Sequence, residues 1–264
     1  MTVLVAYDGA ELGEAVLASA RAVAEAGGWP VRVLAVDQEG RPSVPVDAPA
    51  LAGLKLERRA GDPAAEILAA AGDQTEVVAI GLRSDDRPGV GSVAEQVLMR
   101  SQSMLLVLRA GMRPIRRLRR IVVPLEGTPS AAALMRHLDD VLCRRGREIV
   151  VLHVMTGETP SEPGSLPGPR FVDQEHYDWA SWQDEFELRF SQCTHGGKHT
   201  VVVRSGEPAQ EAIVEAEERA ADMIAVSWRQ DLGPGQAERI KRLLQESRCP
   251  LLLVGARSLA LHGW

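Results

Sequence analysis

The chain has 264 residues, 45% hydrophobic and 25% charged, with a formal net charge of −6 and a pI near 5.6. That is enough apolar material for one or two packed domains, and the acidic balance argues against general affinity for nucleic acid or anionic membranes. No apolar run approaches the length of a membrane span, and the first residues read as a strand instead of a signal peptide; the three cysteines, odd in number and without CxxC spacing, predict reduced thiols in a cytoplasmic protein.

Aromatic residues make up only 4% of the chain, so the core must be built from Ala, Val, Leu and Ile, as in parallel sheets covered by helices. Residues 3–7 are uniformly apolar, which predicts a strand buried on both faces, ending at Asp8-Gly9. Residues 11–26 carry Leu12, Val16 and Val23 at helical spacing among alanines, and Gly27-Gly28 stops that helix. A second strand is predicted over 31–36, followed by a proline-bearing loop through 53 (Pro42, Pro45, Pro49). Residues 54–59 read as a third strand; Asp62 then caps a helix with Pro63 at its first position. The fourth strand, 77–80, ends at Gly81 and leads through a polar loop, closed by Gly89 and Gly91, into a helix from Ser92 to about Arg100. A fifth strand covers 105–108. Strands alternating with helices imply right-handed crossovers and a parallel sheet.

The second half echoes the first. Ile121-Val-Val-Pro-Leu-Glu-Gly127 answers Val3-Leu-Val-Ala-Tyr-Asp-Gly9 at an offset of 118, and Arg204-Ser-Gly-Glu-Pro-Ala209 answers Arg59-Ala-Gly-Asp-Pro-Ala64 at 145. Met223-Ile-Ala-Val226 answers Val77-Val-Ala-Ile80, and Leu251-Leu-Leu-Val254 answers Leu105-Leu-Val-Leu108, both at 146. Self-similarity of this kind predicts two copies of one α/β domain, 1–110 and 121–264, joined by a basic linker over 111–120 whose arginines (Arg113, Arg116, Arg117, Arg119, Arg120) suit a solvated face. The offset grows by 27 between the first and third strands of the copies, so the first copy is shorter between its second and third strands. The extra segment in the second copy sets Trp179, Trp182, Phe186 and Phe190 at helical spacing within 173–192. That amphipathic aromatic helix suits packing on its own sheet, a dimer contact or a pocket for an apolar ligand.

The junction after the fourth strand is the main candidate for chemistry. A strand, a glycine-bearing loop and a helix start present backbone N–H groups and the positive end of a helix dipole, which suit a phosphate. The P-loop pattern GxxxxGK[ST] is absent. A loose dinucleotide fingerprint, Gly89-Val-Gly91-Ser-Val-Ala94, lies well beyond the strand and lacks the acidic residue after the next strand, where Arg109 stands; a loop without a ligand also satisfies the same glycines. Asp8 and Glu126 each follow the first strand of their copy, where a carboxylate either accepts from ribose hydroxyls or caps the next helix. Cys193, His195 and His199 are close in sequence, but the Gly196-Gly197 turn argues against an ordered zinc site, and no metal is expected. His137, Cys143 and His153 read as packed or surface residues. With no nucleophile and base set in view, the expectation is a binding protein, with at most weak ATPase activity.

Taken together, the strand ending in Asp8-Gly9, the strand endings Leu34-Ala-Val36 and Leu152-His-Val154, the Gly-Asp-Pro and Gly-Glu-Pro helix starts and the closing Cys249-Pro-Leu-Leu-Leu-Val254 resemble the universal stress proteins in their tandem two-domain form. The resemblance covers nearly the whole chain. It implies two tandem open, mostly parallel five-stranded α/β sandwiches, Rossmann-like, packed as a pseudo-dimer through their last strands; a further homodimer and a protein partner stay open. Many members bind ATP through a loop G-x2-G-x9-G-[S/T]. Carried onto this chain, Gly81 stands for the first glycine, Ser84 occupies the second, and Gly91-Ser92 supply the final pair, with a loop three residues shorter. The resemblance thus implies a site for ATP or another adenine nucleotide, with Mg2+ if ATP is bound, formed by Ala6, Asp8, Gly9, Val36, Gly81, Arg83, Ser84, Gly89, Gly91, Ser92 and Val93. By analogy Asp8 would meet the ribose and Val36 the adenine edge. The second copy departs further, with Glu126, Val154, Ser227, Trp228 and Gly235 at the matching places, and implies a degenerate site in which Trp228 takes the room of a ligand. The implied function is a stress-response regulator or sensor. The alternative is a stress or signalling scaffold that binds no ATP and uses an apolar pocket or a partner surface.

Overall fold

In the computed structural model, residues 1–37, 44, 49–82, 93–125, 129–143, 147–155, 198–228, 230 and 236–255 are described. The first half contains strands β1 (Thr2–Ala6), β2 (Val31–Asp37), β3 (Leu56–Ala60), β4 (Thr75–Leu82) and β5 (Met104–Arg109). Strands β6 (Arg120–Leu125), β7 (Glu148–Met155), β8 (Lys198–Ser205), β9 (Met223–Trp228) and β10 (Leu251–Gly255) belong to the second. They form one sheet in the order β3-β2-β1-β4-β5-β10-β9-β6-β7-β8. Every pairing within a half is parallel. The halves meet at an antiparallel pair, β5 with β10, in the register Leu251↔Val107, Leu252↔Leu106 and Leu253↔Leu105. The edge-to-edge seam between the last strands that the resemblance implied is therefore the observed one, and it removes two exposed edges.

The described helices are α1 (Glu11–Gly27), α2 (Pro63–Ala70), α3 (Val93–Arg100), α4 (Pro129–Leu138), α5 (Pro208–Glu218) and α6 (Gln236–Glu246), with a π-helical turn over Asp139–Cys143. They cover both faces of the sheet, and this is why the strands read as continuous apolar runs. Alternate residues serve two cores. Val3, Val5, Leu106, Leu108, Leu252 and Val254 face α1 and α4 in a first-face core, while Leu4, Leu105, Val107, Leu251 and Leu253 face the layer that includes Ile67, Val97, Ile213 and Leu243 in a second-face core. Each core contains residues from both halves.

Local signals act as their chemistry demands. Gly28, at φ +71°, ends α1. Asp62 accepts from the Ala65 amide at 2.8 Å, and its counterpart Glu207 accepts from the Ala209 and Gln210 amides at 3.1 and 2.8 Å. The correspondence between halves extends to buried loops. The Ser101 hydroxyl accepts from the Ser103 amide at 3.2 Å, as Ser247 does from Cys249 at 3.0 Å. The Ser103 hydroxyl donates to the Thr75 carbonyl, and the Cys249 thiol to that of Ala221. The third strand starts at Leu56, not Leu54, because the Leu54 amide is taken by the Leu51 carbonyl of a preceding 3-10 turn.

Residues 110–119 run between β5 and β6 under several restraints. Met112, Ile115 and Leu118 are buried. The Arg113 amide donates to the Arg248 carbonyl at 2.7 Å, the Ile115 amide to the Ser19 hydroxyl at 2.9 Å, and the Arg119 and Arg120 amides to the Asp222 carboxylate at 2.7 and 2.9 Å. The positions matching Ser19 and Asp222 by the sequence offsets are His137 and Glu76. These two meet directly, Nε2 to Oε1 at 3.1 Å, both buried. Glu76 reaches this place as the extra residue of a β-bulge between β1 and β4, where the register steps from Thr2↔Thr75 to Val3↔Val77.

Candidate functional site

In the first half the chain builds outward from β1 to β2 and β3, then returns to place β4 on the other side of β1. This is the point in an open parallel sheet where a crevice opens beyond the carboxyl ends of the strands. Ala6, Val36 and Gly81 stand at or beside the carboxyl ends of β1, β2 and β4, and Asp8-Gly9 follows β1 after Tyr7. Three separate strands thus bring five of the sequence-predicted residues to one end of the sheet.

Their local chemistry is specific. Asp8 Oδ1 accepts from the Ala10 amide at 3.0 Å, which closes the turn into α1, and Gly9 takes φ +73°, a conformation suited to glycine. A Cβ on Gly13 would lie 2.5 Å from Asp8 Oδ1, so glycine there lets the first turn of α1 come up against the carboxylate. Sequence reading did not single out Gly13, because its requirement is a tertiary approach. Gly81 is also closely packed: a Cβ there would lie 2.9 Å from Leu12 Cδ2 and 3.0 Å from Leu12 Cγ. Its small size therefore serves the packing of α1 on β4. Val36 is half-buried against the second-face core, and beside it Arg58 Nη1 donates to Asp37 at 3.1 Å while the same guanidinium reaches the Val44 carbonyl. Val93 opens α3 and packs on the same core. Arg83, Ser84, Gly89, Gly91 and Ser92 lie outside the described residues.

At the matching end of the second half, Glu126 and Gly235 also lie outside the described residues, as do the aromatic segment 173–192, Cys193 and His195. Val154 and Ser227 are half-buried. Trp228 is fully buried in the second-face core, and its Nε1 donates to the Leu98 carbonyl of α3 at 3.2 Å. Its indole is thus engaged in the contact between the halves. Gln230 extends the same contact, with Nε2 donating to the Ser101 carbonyl at 2.5 Å. Among the described residues no cluster of three or more His, Cys, Asp or Glu is placed to hold a metal, and His199 faces Asp139 with Nε2 to Oδ1 at 3.5 Å. Nor is any described helix long and apolar enough to cross a membrane.

His153, next to Val154, is buried, and its Nδ1 lies 3.1 Å from the Leu125 carbonyl, which selects the tautomer with the proton on Nδ1. Burial disfavours the imidazolium and moves its pKa below the usual 6.5, against the smaller upward pull of the Leu125 carbonyl. Because the folded value is depressed, its stabilising contribution is complete above the unfolded pKa and is lost as pH falls through the folded one. The urea midpoint is expected to drop between pH 7.5 and 5.5, above the carboxylate range. His153→Asn, which keeps an N–H donor for Leu125, should flatten that drop; equal drops in both proteins would refute the assignment to His153.

The sequence profile of the Universal stress protein family matches residues 117–255. Among solved structures, a universal stress protein from Archaeoglobus fulgidus DSM 4304 is similar over 96% of this chain and 96% of its own, with 18% identity and a TM-score of 0.66. A putative universal stress protein from Pseudomonas aeruginosa UCBPP-PA14 is similar over 99% of this chain and 95% of its own, at 11% identity and a TM-score of 0.65. At those identities the likeness is one of fold. No curated protein matches the chain in sequence.

Proposed function

Since the chain belongs to the universal stress protein family, we propose that its first half binds an adenine nucleotide beyond the carboxyl ends of β1, β2 and β4, and that the protein acts as a stress-response regulator whose occupancy is read by a partner. The observation that carries this reading is the convergence of Ala6, Asp8, Val36 and Gly81 at the switch point of the sheet. Asp8 supplies a carboxylate able to accept from ribose hydroxyls, and the left-handed Gly9 lets backbone approach a ligand closely. The sequence-predicted loop through Gly91-Ser92 into α3 supplies the phosphate end. When the ligand is ATP, Mg2+ accompanies its phosphates.

One pair of observations favours the alternative, a scaffold of the same fold that binds no ATP: Asp8 is engaged by the Ala10 amide, and the space at Gly81 is filled by Leu12. A single experiment separates the two. Small molecules released from freshly purified protein are identified by mass spectrometry, and the emptied protein is titrated with ATP and Mg2+ in a calorimeter. Binding of a single equivalent is expected. Asp8→Asn, which keeps an oxygen for Ala10, should weaken it by about tenfold or more, and Gly91→Val should abolish it without unfolding the protein. No nucleotide released and no heat would refute nucleotide binding and select the scaffold. Gly81 variants do not serve as ligand probes, because an added Cβ disturbs Leu12 first.

A further inference from the structure

We propose that the arginine cluster on residues 110–119 is a docking site for an acidic segment of a partner protein. The inference is independent of nucleotide binding.

From Glu95 to Glu126 the sequence contains no acidic residue between the two, but seven arginines. The structure turns this bias into a surface. Met112, Ile115 and Leu118 point into the core, and the amides of Arg113, Ile115, Arg119 and Arg120 are anchored as described above. The side chains of Arg113, Arg116, Arg117 and Arg119 are left exposed. Arg248, whose carbonyl receives the Arg113 amide, is exposed as well. Arg248 has Glu217 at 3.7 Å, and Arg32, Arg58, Arg59, Arg120, Arg204, Arg219 and Arg242 are all ion-paired, whereas among the described residues no carboxylate pairs with Arg113, Arg116, Arg117 or Arg119. A chain segment with no regular secondary structure is thus anchored along its backbone by hydrogen bonds and three apolar side chains, and it presents guanidinium groups that no described carboxylate pairs with, of which Arg113 also donates to the Cys249 sulfur at 3.8 Å. Holding the backbone in advance lowers the ordering cost of binding.

The chemistry favours carboxylates on a protein. The cluster contains arginine and no lysine, and the planar guanidinium fork matches a carboxylate bidentately. The patch is short and the whole chain is acidic at −6, so a long polyanion that extended past the patch would meet repulsion. Single-stranded nucleic acid binding relies on aromatic stacking, and membrane-surface binding on apolar insertion. Among the described residues the only exposed large hydrophobic residue is Met1.

The test is fluorescence anisotropy of a labelled hexaglutamate peptide with the full chain at low ionic strength, beside a single-stranded oligonucleotide of equal charge and phosphatidylserine vesicles. The peptide is expected to bind most tightly, and its affinity to fall with added salt. Arg116→Glu/Arg117→Glu should weaken it by about tenfold or more, and Arg116→Lys/Arg117→Lys by a few-fold, since the charge stays and the fork is lost. Both pairs are exposed, so an unchanged urea midpoint certifies the fold. Failure of the peptide to bind, binding unaffected by the charge-reversed pair, or tighter arginine-dependent binding of the oligonucleotide or the vesicles would each overturn the proposal.

Discussion

Trp228→Ala is expected to cost about 3–5 kcal/mol of folding stability. The indole is the largest fully buried side chain among the described residues, enclosed by the second-face core with Leu98, Ile240 and Leu243 among its members. Truncation removes that apolar surface, leaves a void at the boundary of the halves and strips the Leu98 carbonyl of its donor. The two contributions separate in a second variant. Trp228→Phe refills most of the volume and leaves the carbonyl unanswered, so it should cost about 1–3 kcal/mol. Urea denaturation followed by far-UV circular dichroism measures both. A loss below about 1 kcal/mol in Trp228→Ala would mean that the indole is not a keystone of the contact.

The seam between the halves is the second place where a single change should be severe. Leu106 and Leu252 are opposite each other across the antiparallel β5–β10 pair, and both are completely buried in the first-face core. Leu106→Ala and Leu252→Ala should each cost about 2–5 kcal/mol. Directly opposed residues on one face share contacts, so the double variant should lose less than the sum of the single losses. Since both cores run through residues of both halves, unfolding of the parent protein is expected to be one transition. Two resolved transitions, or strictly additive losses, would show that the halves are energetically separate.

Much of the fold was legible because its signals are local. Runs such as 105–108 and 251–254 are apolar at every position, as strands covered on both faces require, and their likeness at a constant offset marked them as counterparts; that they pair with each other came from the resemblance. Asp62-Pro63 and Gly28 mark helix ends through the hydrogen bonds and backbone angles that their own side chains permit. The positions of Ala6, Asp8, Gly9, Val36 and Gly81 at or near strand ends were legible to the same depth from pattern, while the grouping of Ala6 and Val36 with them as one site came from the resemblance.

What those residues touch was decided by tertiary structure. Leu12 packs into the space beside Gly81, and Trp228 turns to Leu98 in the other half; neither contact is written in the spacing of the chain. The pairing of Glu76 with His137 needs a bulge in one strand and a helix from the other half, and neither leaves a periodic trace. Four of the five linker arginines are exposed as expected, but Arg120 opens β6 and lies half-buried against Glu148, and the three apolar anchors left no sign in the spacing. Spacing along the chain records which face of an element is buried. Which side chain meets which across two packed halves depends on how the sheet is closed at its seam, and that is settled only when β5 and β10 pair.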